Sequence, residues 1–149
     1  MAARRTGSSR GFTLIELLVI VAVIGLLASI AIPTLQTAVD KSKQRASMAD
    51  MRGIALAIHL YDLDQSIFPT DGTPAATLVA MLQPHTKVIL PSRDHWFHDY
   101  SYHSDNHTWY SLESFGKDGI DGVDITTATR LQFQLDIVYA TGRFSNAPD

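Results

Sequence analysis

The 149 residues contain no cysteine, a single glycine and no proline between residues 34 and 66, and fewer basic than acidic side chains. Each scarcity excludes something. Without thiols there is no disulfide framework, no thiolate metal site and no cysteine nucleophile. Twelve lysines and arginines against fifteen acids, net −3, do not make the basic stripe that nucleic acid requires. No phosphate loop ending in Gly-Lys-Ser/Thr is present, and Gly116-Lys117-Asp118-Gly119 leads into strand pattern instead of a helix. No catalytic set emerges, so the chain reads as a non-enzyme.

What the chain does have begins at Gly11. Behind a basic leader (Arg4, Arg5, Arg10) runs an apolar stretch from Phe12 to Ile32, interrupted by one acid, Glu16. Twenty-one residues rising about 1.5 Å each make a helix of roughly 30 Å, the thickness of a bilayer's hydrocarbon core. A charge there costs on the order of 3 kcal/mol, so Glu16 needs a functional reason. Cleavage after Gly11 would supply one. Phe12 would then carry a new α-amino group, cationic below about pH 8, one helical turn from Glu16. A secretory signal fits poorly, because its apolar region is about 7–15 residues with a small-residue cleavage site behind it. A plain signal anchor does not need the acid. The leader's arginines favour a cytoplasmic N-terminus, although Lys41, Lys43 and Arg45 weaken the asymmetry.

The basic leader, Gly11, Phe12, Thr13-Leu14-Ile15-Glu16-Leu17-Leu18 and Pro33 resemble the N-terminal segment of type IV prepilins and of the pseudopilins of type II secretion. The resemblance implies that a membrane-embedded prepilin peptidase cleaves between Gly11 and Phe12 and methylates the Phe12 amine. It also implies that Glu16 recruits subunits into a helical filament by pairing with a neighbour's Phe12. Loss of residues 1–11 removes three arginines, leaving nine basic against fifteen acidic side chains, net −6.

Beyond Pro33 the pattern turns amphipathic, with Leu35, Val39, Ala46, Met51, Ile54, Ala55, Ile58 and Tyr61 recurring at threes and fours. One helix from Phe12 to about Asp64 follows, with a kink or local melting expected at Pro33. Phe68 to Gly72 is a turn cluster. Thr73-Pro74 reads as the N-cap and first residue of a helix over Ala75 to Gln83, stopped by Pro84. From Asp99 the signal is strands. Tyr100-Ser101-Tyr102 and Thr108 to Leu112 flank a hairpin turn at Ser104-Asp105-Asn106. Leu131, Phe133, Leu135, Ile137 and Tyr139 alternate with more polar neighbours, which predicts a third strand with one buried face. Thr141-Gly142 reads as a turn before a stub at Arg143-Phe144.

The fold class is therefore α+β: a long N-terminal helix, membrane-spanning in its first half, packed on a small C-terminal antiparallel sheet. The expected divisions are a leader (1–11), a membrane or filament-core helix (12–33), its amphipathic continuation (34–64) and a globular head (65–149). Within the head, helix and loop occupy 65–98, and the sheet with an Asp/Gly loop occupies 99–149.

That loop, Ser114 to Ile125, interleaves Asp118, Asp121 and Asp124 with three glycines. Hard cations such as Ca²⁺ take six to eight oxygens, including carbonyls that glycines leave accessible. The segment, with Asp94-His95-Trp96 and Trp109 to Leu112 before it, also resembles the calcium loop of major pseudopilins. Its glycine run is shorter than theirs. Two Asp-Ile pairs, Asp124-Ile125 and Asp136-Ile137, compete as the closing ligand. A solvated acidic turn explains the same residues. His95, His98, His103 and His107 cluster at spacings also seen in zinc sites, but solvent-facing strand histidines are the simpler reading.

The resemblance, taken with this loop, implies a subunit of a type II secretion pseudopilus. Its partners would be further copies, sister pseudopilins, prepilin peptidase and an inner-membrane assembly platform. It would sit single-pass in the bacterial inner membrane, head in the periplasm. A type IV pilus subunit and a monomeric, membrane-anchored metal-binding module are the alternatives.

Overall fold

The computed structural model describes residues 11–122 and 133–146. The chain divides into two compact units, Met1–Thr37 and Ala38–Asp149. In the first, helix α1 (Leu14–Gln65) begins, and its apolar stretch is long enough to cross a membrane, with none of it buried by the described residues. Thr13 accounts for where the helix starts. Its Oγ1 accepts a hydrogen bond from the Glu16 N–H (3.3 Å), satisfying one of the orphan donors of the first turn.

Pro33 lies within continuous helix, so the local melting expected there does not occur. Proline removes one donor, that to the carbonyl four residues back. Nearby hydroxyls supply local bonds of their own. Ser29, Thr34 and Thr37 donate to the carbonyls of Leu26, Ile30 and Pro33.

The second unit is built on the remainder of α1. Met51, Ile54, Ala55, Ala57 and Ile58 face the core with Phe68, Leu78, Leu82, Tyr102, Tyr110, Leu112 and Ile137. Of the predicted amphipathic set, Leu35 and Val39 are exposed; the buried positions before Met51 are instead polar, Asp40, Gln44 and Ser47. Helix α2 (Ala75–Leu82) is one residue shorter than expected, and Pro84 sits inside a following 3₁₀ turn, Gln83–His85. Thr73 is not its cap. The Thr73 hydroxyl donates back to the Thr70 carbonyl (2.5 Å), closing the Asp71-Gly72 turn.

Four antiparallel strands lie in sequence order: β1 (Ser101–Ser104), β2 (Tyr110–Ser114), β3 (Ile137–Ala140) and β4 (Arg143–Asn146). The hairpin register sets Ser101 opposite Glu113 and Ser104 opposite Tyr110. Asp105 fixes its turn, with Oδ1 accepting from the N–H groups of His107, Thr108 and Trp109 and Oδ2 from the Thr108 hydroxyl. The third strand is shorter than the alternation predicted. Residues 133–135 turn, and Asp136, Ile137 and Val138 are buried in succession, while Leu131 lies outside the described residues. Tyr110 centres the core. Its ring meets Phe68 and His59 edge-on at 5.2 and 5.4 Å, and its hydroxyl lies 3.1 Å from His59 Nε2. Burial raises the phenols of Tyr100 and Tyr110 and pushes Tyr102 up to about 12, so all three stay protonated.

Candidate functional site

The segment expected to be processed is open among the described residues. Gly11, Phe12 and Thr13 are exposed and precede the helix, and no described residue lies within 4 Å of where a Gly11 Cβ would stand. Glu16 occupies the third position of the first turn, also exposed, where an acid complements the helix dipole.

The Asp/Gly loop is anchored at several points. Gly116 adopts φ +63°, and a Cβ there would come within 2.8 Å of the carbonyl oxygens of Phe133 and Leu135. Only glycine fits. Lys117 N–H donates to the Phe133 carbonyl (2.7 Å), tying the loop's start to its return. The Lys117 ammonium reaches back to buried Asp40 on α1 (2.8 Å). Gly119 (φ +66°) lies so close to His98 that a Cβ would sit 2.6 Å from Nε2.

Beneath the loop, Asp94 organises residues 94–98. Its Oδ1 accepts from the N–H groups of Trp96 and His98, both at 2.9 Å, and its Oδ2 accepts from the Ser114 hydroxyl (2.7 Å). His98 Nδ1 faces the Gly116 carbonyl at 2.9 Å. The His95 N–H donates to Ser47 Oγ on α1 (3.1 Å), while its ring meets Asp50 (3.1 Å). Among the described residues, the histidines join no group of three or more side chains that could hold a metal. His95 and His98 bond to different elements, and His103 contacts Asp71 at 3.2 Å.

Of the acids named from sequence, Asp121 and Asp136 come together, and they are joined by Glu113 of β2, all three offering oxygens within 4.8 Å of one another. Asp136 Oδ2 also accepts the Gly122 N–H (2.8 Å). Asp118 is turned elsewhere, its Oδ1 accepting the Ile120 N–H (3.2 Å) in a local turn. Asp124 lies outside the described residues. An oxygen-only set of three carboxylates beside glycine-rich backbone suits a hard cation better than zinc, which prefers nitrogen and sulfur. Sequence reasoning missed Glu113 because its neighbours read as ordinary strand. Only the register opposite Val138, two residues past Asp136, brings it to the site.

Comparison with known proteins agrees with this layout. Residues 34–129 match the family of type II secretion system protein G, and residues 7–32 match the prokaryotic N-terminal methylation motif. Type II secretion system core protein G of Klebsiella michiganensis is 32% identical over 131 residues, covering 80% of this chain and 92% of that protein. The proteins of the same name from Escherichia coli K12 and Vibrio cholerae are 31% and 33% identical. They cover 81% and 79% of this chain, and 90% and 87% of their own lengths. An exposed apolar helix under a methylation motif, followed by the match over residues 34–129, makes this chain a member of the type II secretion system protein G family.

Proposed function

We propose that the chain is a structural subunit of a type II secretion pseudopilus and has no catalytic activity of its own. The observation that carries this reading is the apolar stretch of α1, long enough to span a bilayer and not buried by any of the described residues. So much apolar surface requires lipid before assembly and other helices after it. Prepilin peptidase cleaves between Gly11 and Phe12 and methylates Phe12. Glu16 then pairs with the Phe12 amine of a neighbouring copy. The leader stays cytoplasmic and the head is periplasmic. Family membership favours this over a type IV pilus subunit or a monomeric metal module.

Mass spectrometry of the mature chain tests the reading. The expected species starts at methylated Phe12, and Gly11→Leu leaves uncleaved precursor, because a bulky side chain obstructs the peptidase's approach. An intact Met1 leader on the wild-type chain would overturn it.

The loop has its own role in this proposal. Glu113, Asp121 and Asp136 hold Ca²⁺, with Asp118 and Asp124 available to add oxygens. The cation neutralises three crowded carboxylates and fixes the return from the loop into β3.

A further inference from the structure

Two apolar surfaces on the second unit are exposed among the described residues. On α1, Leu56, Leu60 and Leu63 recur at i, i+4 and i+7, all exposed, Leu63 at 80%. One turn earlier on the same face stands Gly53, with nothing within 4 Å of where its Cβ would be. A mid-helix glycine weakens a helix, and no contact among the described residues requires this one. Arg52, one turn before Leu56, holds its guanidinium 5.0 Å over the Phe144 ring.

The second surface is Val88-Ile89, with Ile89 87% exposed. This ridge is held in a defined shape. Gln83 clamps it from both sides, its Nε2 donating to the Val88 carbonyl (2.9 Å) and its Oε1 accepting the Leu90 N–H (3.3 Å). The Val88 N–H is bonded to Thr86 Oγ1 (3.2 Å). The backbone is fixed while the side chains are presented to solvent.

We propose that the Leu56–Leu60–Leu63 face of one copy receives the Val88-Ile89 ridge of a second copy. The inference rests on the filament reading and names a contact within it. Charge supports this occupant. Exposed Lys87 adjoins the ridge, and Asp62 and Asp64 bracket Leu63, so docking sets a cation beside two acids at the rim. The same acids disfavour an anionic lipid surface. Two different patches meeting make a head-to-tail contact, which propagates instead of closing as a two-fold dimer. The leucines and Ile89 form the dry centre, and Gly53 lets the incoming backbone approach closely.

The absence of native cysteine gives a direct test. Leu60→Cys and Ile89→Cys are placed together in the full-length chain, expressed in a membrane with prepilin peptidase and the secretion machinery, and mildly oxidised. The expected result is a ladder of dimer, trimer and higher species, with each single variant staying monomeric, because its one thiol faces a leucine or isoleucine of the neighbouring copy. Filaments visible by electron microscopy that yield only monomer on oxidation overturn the contact and leave the filament reading standing. A wild-type chain that forms no filaments overturns both. A fast-migrating monomer, cross-linked internally, also overturns the contact. Should the cysteine pair not assemble, the decision passes to a charge swap. Leu63→Lys and Ile89→Glu each lower sedimentable filament about tenfold or more, while the double variant recovers to within about threefold of wild type. A double variant no better than either single one rejects the contact.

Discussion

The two parts of α1 differ in who covers them. From Phe12 to Ile32 every large apolar side chain is exposed, whereas Met51, Ile54 and Ile58 are essentially inaccessible. The first stretch is apolar on all sides, whereas the covered residues of the second fall on one face of the helix. A one-sided pattern names a partner within the chain; an all-round pattern names a solvent other than water, or other copies. Hydrophobicity by itself does not tell burial from exposure here, but its angular distribution does.

The largest expected effect tests the uncovered part. Glu16→Ala keeps the Thr13 cap, which uses the backbone N–H of residue 16, and so removes the carboxylate alone. Cleavage proceeds, but docking leaves an unpaired amine in apolar surroundings, costing on the order of 3 kcal/mol or more. Sheared filaments should fall below detection on an immunoblot. Wild-type yields of processed, assembled Glu16→Ala protein would confine the pairing to Phe12 and Glu16 of one helix.

Next comes the covered part. Ile58→Ala opens a cavity in the head and should cost about 2–5 kcal/mol of stability. Leu27→Ala, on the exposed stretch, should leave the head's denaturant midpoint unchanged. Equal losses from the two would erase the contrast.

Ca²⁺ should have an intermediate effect. For the detergent-solubilised full chain, ligand at a hundredfold excess over Kd adds about 2.7 kcal/mol, visible as a raised melting temperature that chelator reverses. Asp136→Ala should abolish the response and Asp118→Ala only reduce it, in keeping with their placement inside and outside the acid group. Indifference of the wild-type melting curve to millimolar Ca²⁺ leaves the loop an ordinary acidic turn.

The smallest effect is that of pH. Hydrogen bonds from Thr108, led by its hydroxyl, and from the Trp109 N–H hold the Asp105 carboxyl well below its ordinary range. The Ser104 N–H, then His103, lowers that of Asp71. A lowered folded-state pKa gives stability that is present above the unfolded value near 3.9 and is lost as pH falls toward the folded value. Acid titration of the head should therefore steepen below about pH 4. Asp105→Asn should flatten that limb, whereas an unchanged profile assigns the acid sensitivity elsewhere.

What was legible from sequence followed from local spacing. The hairpin, the Thr141-Gly142 turn, α2 and the inner face from Met51 to Ile58 all declare themselves within a few residues. The polar stretch Asp40, Gln44 and Ser47 was not legible as buried, because its partners lie far along the chain. Asp40 meets Lys117, and Ser47 meets the His95 N–H. Alternation also misassigned Asp136 to a solvent-facing position. The strand starts only at Ile137, so its period does not govern the residue before it. Two of the three acids of the candidate cation site, Asp121 and Asp136, were visible from sequence, while Glu113 needed strand register to be found.

The bond between the Lys117 N–H and the Phe133 carbonyl, beside the crowded Gly116, makes a clasp at the neck of the loop. A clasp separates length from position. Doubling the chain that runs between its ends costs only about 0.6 kcal/mol in closure entropy, and Glu113 and Asp136 stand on the strand side of it. Insertions and deletions after Asp121 can therefore accumulate without shifting the β2–β3 register. A glycine run shorter than that of similar loops is the variation such a neck permits.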